Sequence, residues 1–221
     1  VRILINLGGG ADINDAANTR ADQINKNHPN DKLIYINDTN LGNLKNNIES
    51  ALNQANAEGY GKTVELSVFG HNGADGPKGG YFSENSLDLS RETGSPTERG
   101  QISPENWGNI NYNFDSKASI ASFYGCNSAS WAEKFMELTN VKYTSGIAGK
   151  AGGSYTAKGD FSRTLRNFFM PSSGVYLRSQ YNGKVLPMYL YTRGSYKGYG
   201  DYKSYNEREV YGNPTINVRR W

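Results

Sequence analysis

At 221 residues the chain is expected to fold as one large domain able to bury a full core without staples. Its single cysteine excludes an internal disulfide framework, and no apolar run approaches the roughly 18 residues of a membrane span. The net charge of +3 is uneven: residues 174–221 hold eight Lys/Arg against three Asp/Glu (+5), leaving −2 on residues 1–173.

The chain begins on Val1 and reads as a processed piece of something longer, so its localisation is not legible. Arg2–Leu7 (RILINL) is a short apolar strand running into Gly8-Gly9-Gly10. That triplet lacks the GxGxxG spacing and a Walker lysine, so a plain turn is expected rather than a nucleotide loop. Asn14 to Asn27 has Ala17, Ala21 and Ile24 on one helical face, and His28-Pro29-Asn30-Asp31 is a turn. Leu33–Ile36 (LIYI) is a second strand. Asn40 caps a longer helix to about Glu58, with Leu41, Leu44, Ile48 and Leu52 at helical spacing and Gly59 and Gly61 at its end. A third strand, Val64–Gly70 (VELSVFG), stops on His71.

Residues 72–104 are rich in Gly, Pro, Ser and charge, and a connection of that length reads as a mobile lid or functional loop. A short helix is expected from Ser103, with Pro104 in its first turn. A fourth strand, Ala118–Gly125 (ASIASFYG), stops on Cys126. Ser130-Trp131-Ala132-Glu133 matches a capping box, and Trp131, Phe135 and Leu138 give the next helix a buried face. Val141–Ile147 is a fifth strand. Beyond Gly149 the pattern changes to short Tyr- and Gly-rich segments that read as hairpins, with a small helix near Phe161–Phe169. The alternation predicts an α/β fold, a mainly parallel sheet flanked by helices. Residues 1–173 are expected to form its α/β part and 174–221 a basic, Tyr-rich β-hairpin appendage of the same domain.

Two strands of matching character thus deliver His71 and Cys126, 55 residues apart, to the carboxyl ends where ligands collect in open α/β sheets. A thiol with an imidazole at one edge is the pairing of a nucleophile with its base. Cys126 lies just before a helix, whose unsatisfied N–H groups and dipole favour an anion. Alone, Cys126 reads equally well as a small buried hydrophobe, and His71 as a turn residue; together they favour chemistry. His28 sits in a polar turn and reads as a surface residue. One cysteine and two separated histidines make no ligand cluster, so no metal and no organic cofactor is expected.

In order and spacing, VELSVFGHNG and ASIASFYGCNS resemble the caspase-like (clan CD) cysteine peptidases, whose pattern is a strand ending in His-Gly and a later strand ending in the catalytic Cys. Over roughly residues 1–150 the chain is most similar to the autoprocessing protease domains of large bacterial toxins and to CHAT-like domains. The resemblance implies a caspase-like sheet and a cysteine endopeptidase, the protease domain of a larger bacterial toxin or secreted effector. It would be secreted or delivered into a target cell, and would cut a protein or peptide, its own polypeptide included, with no nucleic-acid partner. Cys126 would be the nucleophile and His71 the base. The family's oxyanion donors are the N–H after His and the N–H of Cys. The extra residue in His71-Asn72-Gly73 leaves Asn72 and Gly73 both open for the first. Asp75 and Asp38 are candidates to orient His71, although surface solvation accounts for both. The family's specificity pocket corresponds loosely to residues 145–160, which puts Ser145, Ser154 and Asp160 forward as substrate-binding residues. Asp160 would favour a basic side chain, and Lys150 or Lys158 an acidic one.

Two rival readings are carried. An ADP-ribosyltransferase toxin domain would use Arg2, Thr144-Ser145 and Glu207-Arg208-Glu209, although that split antiparallel fold sits badly with regular α/β alternation. A non-catalytic caspase-like binding module would keep the dyad unused. In the toxin relatives an inositol polyphosphate in a basic pocket switches the protease on. Arg178, Lys184, Arg193, Lys197, Lys203, Arg208, Arg219 and Arg220 would be its ligands here. The tail has no tight Lys/Arg run, so scattered solvated charges are the expected reading over that activator site.

Overall fold

The apolar runs become strands that pair in parallel: β1 (Arg2–Asn6), β2 (Leu33–Asn37), β3 (Glu65–Phe69), β6 (Ile120–Tyr124) and β7 (Tyr143–Ile147). The computed structural model describes residues 1–73, 76–79, 100–147, 150–155, 175–181, 184–185, 188–192 and 216–220. Across the sheet the five run β2-β1-β3-β6-β7, each pair parallel. The chain is therefore an α/β protein with a mainly parallel five-stranded sheet flanked by helices. Every residue of β1, β3, β6 and β7 is buried, as expected where both faces of a parallel sheet are covered.

The helices divide between the faces. α1 (Ala11–Asn27) lays Ala16, Ala17, Ala21 and Ile24 on one face with Leu4, Phe69, Tyr124 and Ile147. α2 (Leu44–Ala57), α3 (Pro104–Gly108) and α4 (Ser128–Leu138) cover the other. There Leu44, Ile48, Leu52, Trp107, Trp131 and Phe135 meet Ile3, Ile5, Leu66, Val68 and Phe123. One helix on one face and three on the other is what right-handed crossovers require when β1 leads outward to β2 and the chain then returns to β3.

Four local differences from the expected elements have physical causes. α1 starts three residues before Asn14, because Gly10, at φ 148°, serves as its N-cap with no side-chain bond to announce it. Asn40 does cap, its Oδ1 accepting from the Gly42 N–H, but the first turn (Leu41–Asn43) is 3-10 and α2 begins at Leu44. The Ser130–Glu133 capping box does not form: α4 begins at Ser128, with Asn127 as N-cap in the left-handed region (φ 54°). The long loop opens with a hairpin, β4 (His71–Gly73) against β5 (Gly76–Lys78), so His71 begins a strand of its own. α3 forms as expected, with the Ser103 Oγ accepting from the Asn106 N–H.

In the later chain, β8 (Lys150–Tyr155), β9 (Val175–Tyr181) and β10 (Lys184–Val185) make a three-stranded antiparallel sheet. β11 (Met188–Thr192) pairs antiparallel with β7, and β12 (Ile216–Arg220) pairs with β11, extending the main sheet to seven strands. The bulk of the expected lid, and the small helix near Phe161, lie outside the described residues. Among the described residues no helix is long and apolar enough to cross a membrane.

The amino edge of the sheet carries a buried ionic cluster. Glu65, at the start of β3, accepts two bonds from Arg20 (Nε 2.8 Å, Nη2 2.7 Å), one from Arg2 Nη1 and one from Ser67 Oγ (2.8 Å). Burial by itself would push the Glu65 carboxyl up. The charge and bonds of Arg20, then Arg2 and Ser67, outweigh burial and hold it down at about 2. Arg2 also donates to Asp31 (2.6 Å).

Candidate active site

β3 and β6 are neighbours in parallel register, ending with Phe69 opposite Tyr124. These two rings stack with centroids 4.2 Å apart and planes 9° apart, on the α1 face. Two residues beyond each lie His71 and Cys126, so the same two strands carry both side chains past the carboxyl edge. Their contacts lie on the α1 side as well: His71 meets the loop that enters α1, and Cys126 meets Ala151, which packs on the α1 cluster.

The two segments come close at Gly125. A Cβ on Gly125 would lie 2.5 Å from the Gly70 carbonyl oxygen, 2.8 Å from the Asn72 Cβ and 3.2 Å from the Asn72 nitrogen. Only glycine allows the segment before Cys126 to approach the His71 turn this closely. Asn127 then turns the chain into α4 with a left-handed backbone, which Asn tolerates better than most residues.

His71 Nε2 lies 2.9 Å from the Gly9 carbonyl oxygen. A carbonyl only accepts, so Nε2 is the donor in this bond and carries a proton. Gly9 reaches that position with φ 102°, a backbone side chains disfavour. The loop between β1 and α1 therefore does more than turn. It lies at the switch point of the sheet, where the chain leaves β1 in one direction and β3 in the other. Asp38 is engaged elsewhere: its Oδ1 accepts from the Asn40 N–H. Asp75 lies outside the described residues.

Cys126 is half-buried, and its Sγ accepts a bond from the Ala151 N–H at 3.2 Å. The thiol also reaches the Ala151 carbonyl oxygen, as donor, at 4.0 Å. No sequence signal could have shown this contact, because it comes from the main chain of a strand 25 residues later.

The other candidates divide. Asn72 brings its backbone nitrogen beside Gly125, whereas the space where Gly73 would carry a side chain is filled by Lys78, whose Cε lies 2.6 Å from that point. Ser145 is wholly buried in β7, where its hydroxyl donates to Ser122 Oγ (2.8 Å), so its side chain belongs to the sheet interior. The backbone of Ser154 lies on β8 opposite Tyr176; Asp160 lies outside the described residues. Arg2 sits at the opposite edge, bound to Glu65 and Asp31, Thr144 is buried beside Ser145, and 207–209 lie outside the described residues. Among the described residues no three His, Cys, Asp or Glu side chains group as metal ligands. Comparison with protein-family models, curated proteins and solved structures finds no match for this chain.

Proposed function

We propose that the chain is a cysteine endopeptidase of caspase-like fold, working through Cys126 and His71. The observation that carries this reading is the arrival of both residues, on adjacent parallel strands in register, at one edge and beside the switch point. The β2-β1-β3-β6-β7 order with helices on both faces is compatible with a caspase-like sheet.

The chemistry follows from the contacts. Cys126 Sγ attacks the scissile carbonyl carbon, and its proton passes to His71 Nδ1. The Gly9 carbonyl holds the ring and stabilises the imidazolium that forms. The carbonyl oxygen becomes an oxyanion between the N–H groups of Cys126 and Asn72. On collapse the carbon–nitrogen bond breaks and the amine leaves with the proton from His71. Water, deprotonated by His71, then attacks the thioester, releasing the acid and restoring the thiol. By the same resemblance the chain serves a larger bacterial toxin or secreted effector and cuts a protein or its own polypeptide.

The test is peptide cleavage by the purified chain before and after treatment with chloroacetamide, with the adduct mapped by mass spectrometry. Modification of Cys126 with matching loss of cleavage is expected. Cleavage that survives full modification overturns the reading. NAD binding with indifference to the reagent would favour the transferase, and peptide binding without turnover the binding module.

A further inference from the structure

Resting on the peptidase reading, we propose that Asn72 is a positioning residue: its carboxamide locks the 72–73 backbone so that the Asn72 N–H stays aimed at the oxyanion site. The Asn72 Nδ2 donates to the carbonyl oxygen of Gly73 at 2.8 Å. The orientation of the amide is settled by chemistry, because a carbonyl oxygen can face only a donor. The bond ties the side chain to the peptide that follows and restrains both residues.

The hairpin alone holds this point weakly. Asn72 faces Pro77 in the pair between the two hydrogen-bonded pairs of the hairpin, so its own N–H and C=O point away from the ladder and no cross-strand bond restrains them. The carboxamide supplies a local restraint at the pair that makes no ladder bond of its own. Meanwhile the Asn72 nitrogen lies 3.2 Å from the Cβ position of Gly125, beside Cys126, and Lys78 lies over Gly73.

The other end of the carboxamide argues against a purely structural role. Among the described residues, the Asn72 Oδ1 is buried with no hydrogen-bond partner. A buried acceptor without a donor carries a desolvation penalty, so folding alone gains little from this residue. A residue retained for position should lose activity, without losing stability, when truncated.

The experiment compares the wild type with Asn72→Ala and Asn72→Asp. It reads amide hydrogen exchange at residues 72 and 73, melting temperature, and kcat and KM on a cleaved peptide. Asn72→Ala should speed exchange at those amides about tenfold or more and leave the melting temperature unchanged or raised. It should lower kcat about 10- to 100-fold at constant KM, since a displaced oxyanion donor is lost mainly in the transition state. Asn72→Asp should regain activity toward acid pH, where the protonated carboxyl can donate to Gly73 again, and lose it toward neutrality. Unchanged exchange in Asn72→Ala overturns the lock. A melting temperature that falls along with activity, or a wild-type pH profile in Asn72→Asp, overturns the positioning role. A wild type that cuts nothing while exchange responds as stated sinks the peptidase reading and the catalytic purpose, and leaves the lock standing. A wild type that cuts no better than Asn72→Ala sinks the positioning role alone.

Discussion

Phe69 and Tyr124 stack face to face at 4.2 Å, one turn of the pleat before His71 and Cys126. The pair pins two strands in register, and a slip of one residue would send His71 and Cys126 to opposite faces. Phe69→Ala should destabilise the fold by about 3–5 kcal/mol. Phe69→Leu should cost less and still lower cleavage, because it removes the flat contact that sets the register. Urea melts and kcat/KM measured on both variants check this; equal activity in Phe69→Leu and wild type would show that the stack serves packing alone.

Gly125→Ala is expected to disable the site from outside the dyad. The added methyl meets the Gly70 carbonyl oxygen at 2.5 Å, and a backbone atom cannot swing away as a side-chain end can. The strands must part, and a displacement on the order of 1 Å near reacting groups lowers rate about 100-fold. Cleavage should fall by that order, and the crystal structure should show the 70–72 backbone shifted.

Cys126→Ala and His71→Ala should each abolish cleavage with the circular-dichroism spectrum unchanged. In the proposed mechanism the two act as one unit, so the double variant should lose little beyond either single. Losses that multiply would mean that the residues work independently.

Glu65 links the fold's stability to acid pH. Its carboxyl ionises at about 2 in the folded protein, below its ordinary value of 4.5. Below that ordinary value the unfolded chain binds the proton first, so the stabilisation is complete above about 4.5 and is lost as pH falls toward 2. Glu65→Gln should flatten this part of the pH–stability curve. It should also destabilise at neutral pH by about 3–5 kcal/mol, since Arg2 and Arg20 would lose the buried carboxylate they share. A variant curve that keeps the wild-type slope between pH 4.5 and 2 would assign the acid sensitivity elsewhere.

Asn127 holds φ 54° between strand and helix. Asn127→Gly should fold and cut normally, whereas Asn127→Val should lose roughly 1–3 kcal/mol, the usual strain of a branched residue in that region. Thermal melts separate the two.

The parallel strands were legible because apolar runs of this length, alternating with helical periodicity, have few other solutions. His71 and Cys126 were legible for the same reason, each standing where such a run stops. The hairpin at 71–78 was hidden by its own composition, since Gly, Asn and Pro read as loop whether or not they pair. The early starts of α1 and α4 were missed because both helices begin at a residue with positive φ, Gly10 and Asn127, and neither uses a side-chain cap. Glu65 drew no attention because Arg2 and Arg20, distant along the chain, meet it only once β1, α1 and β3 are packed.

The Gly9 carbonyl that holds His71 and the Ala151 N–H that meets Cys126 are main-chain atoms. Main-chain atoms survive every substitution that preserves the path of the backbone. The surroundings of the dyad can therefore drift through nearly any residues that keep two glycine-dependent turns and one close strand crossing. Two chains could share this entire arrangement with little more than a histidine and a cysteine in common. Kinship of that kind is written in the course of the chain, and comparison by residue type passes over it. For the same reason an alanine scan would score Gly9 only through its conformation, since the group that touches the imidazole has no side chain to remove.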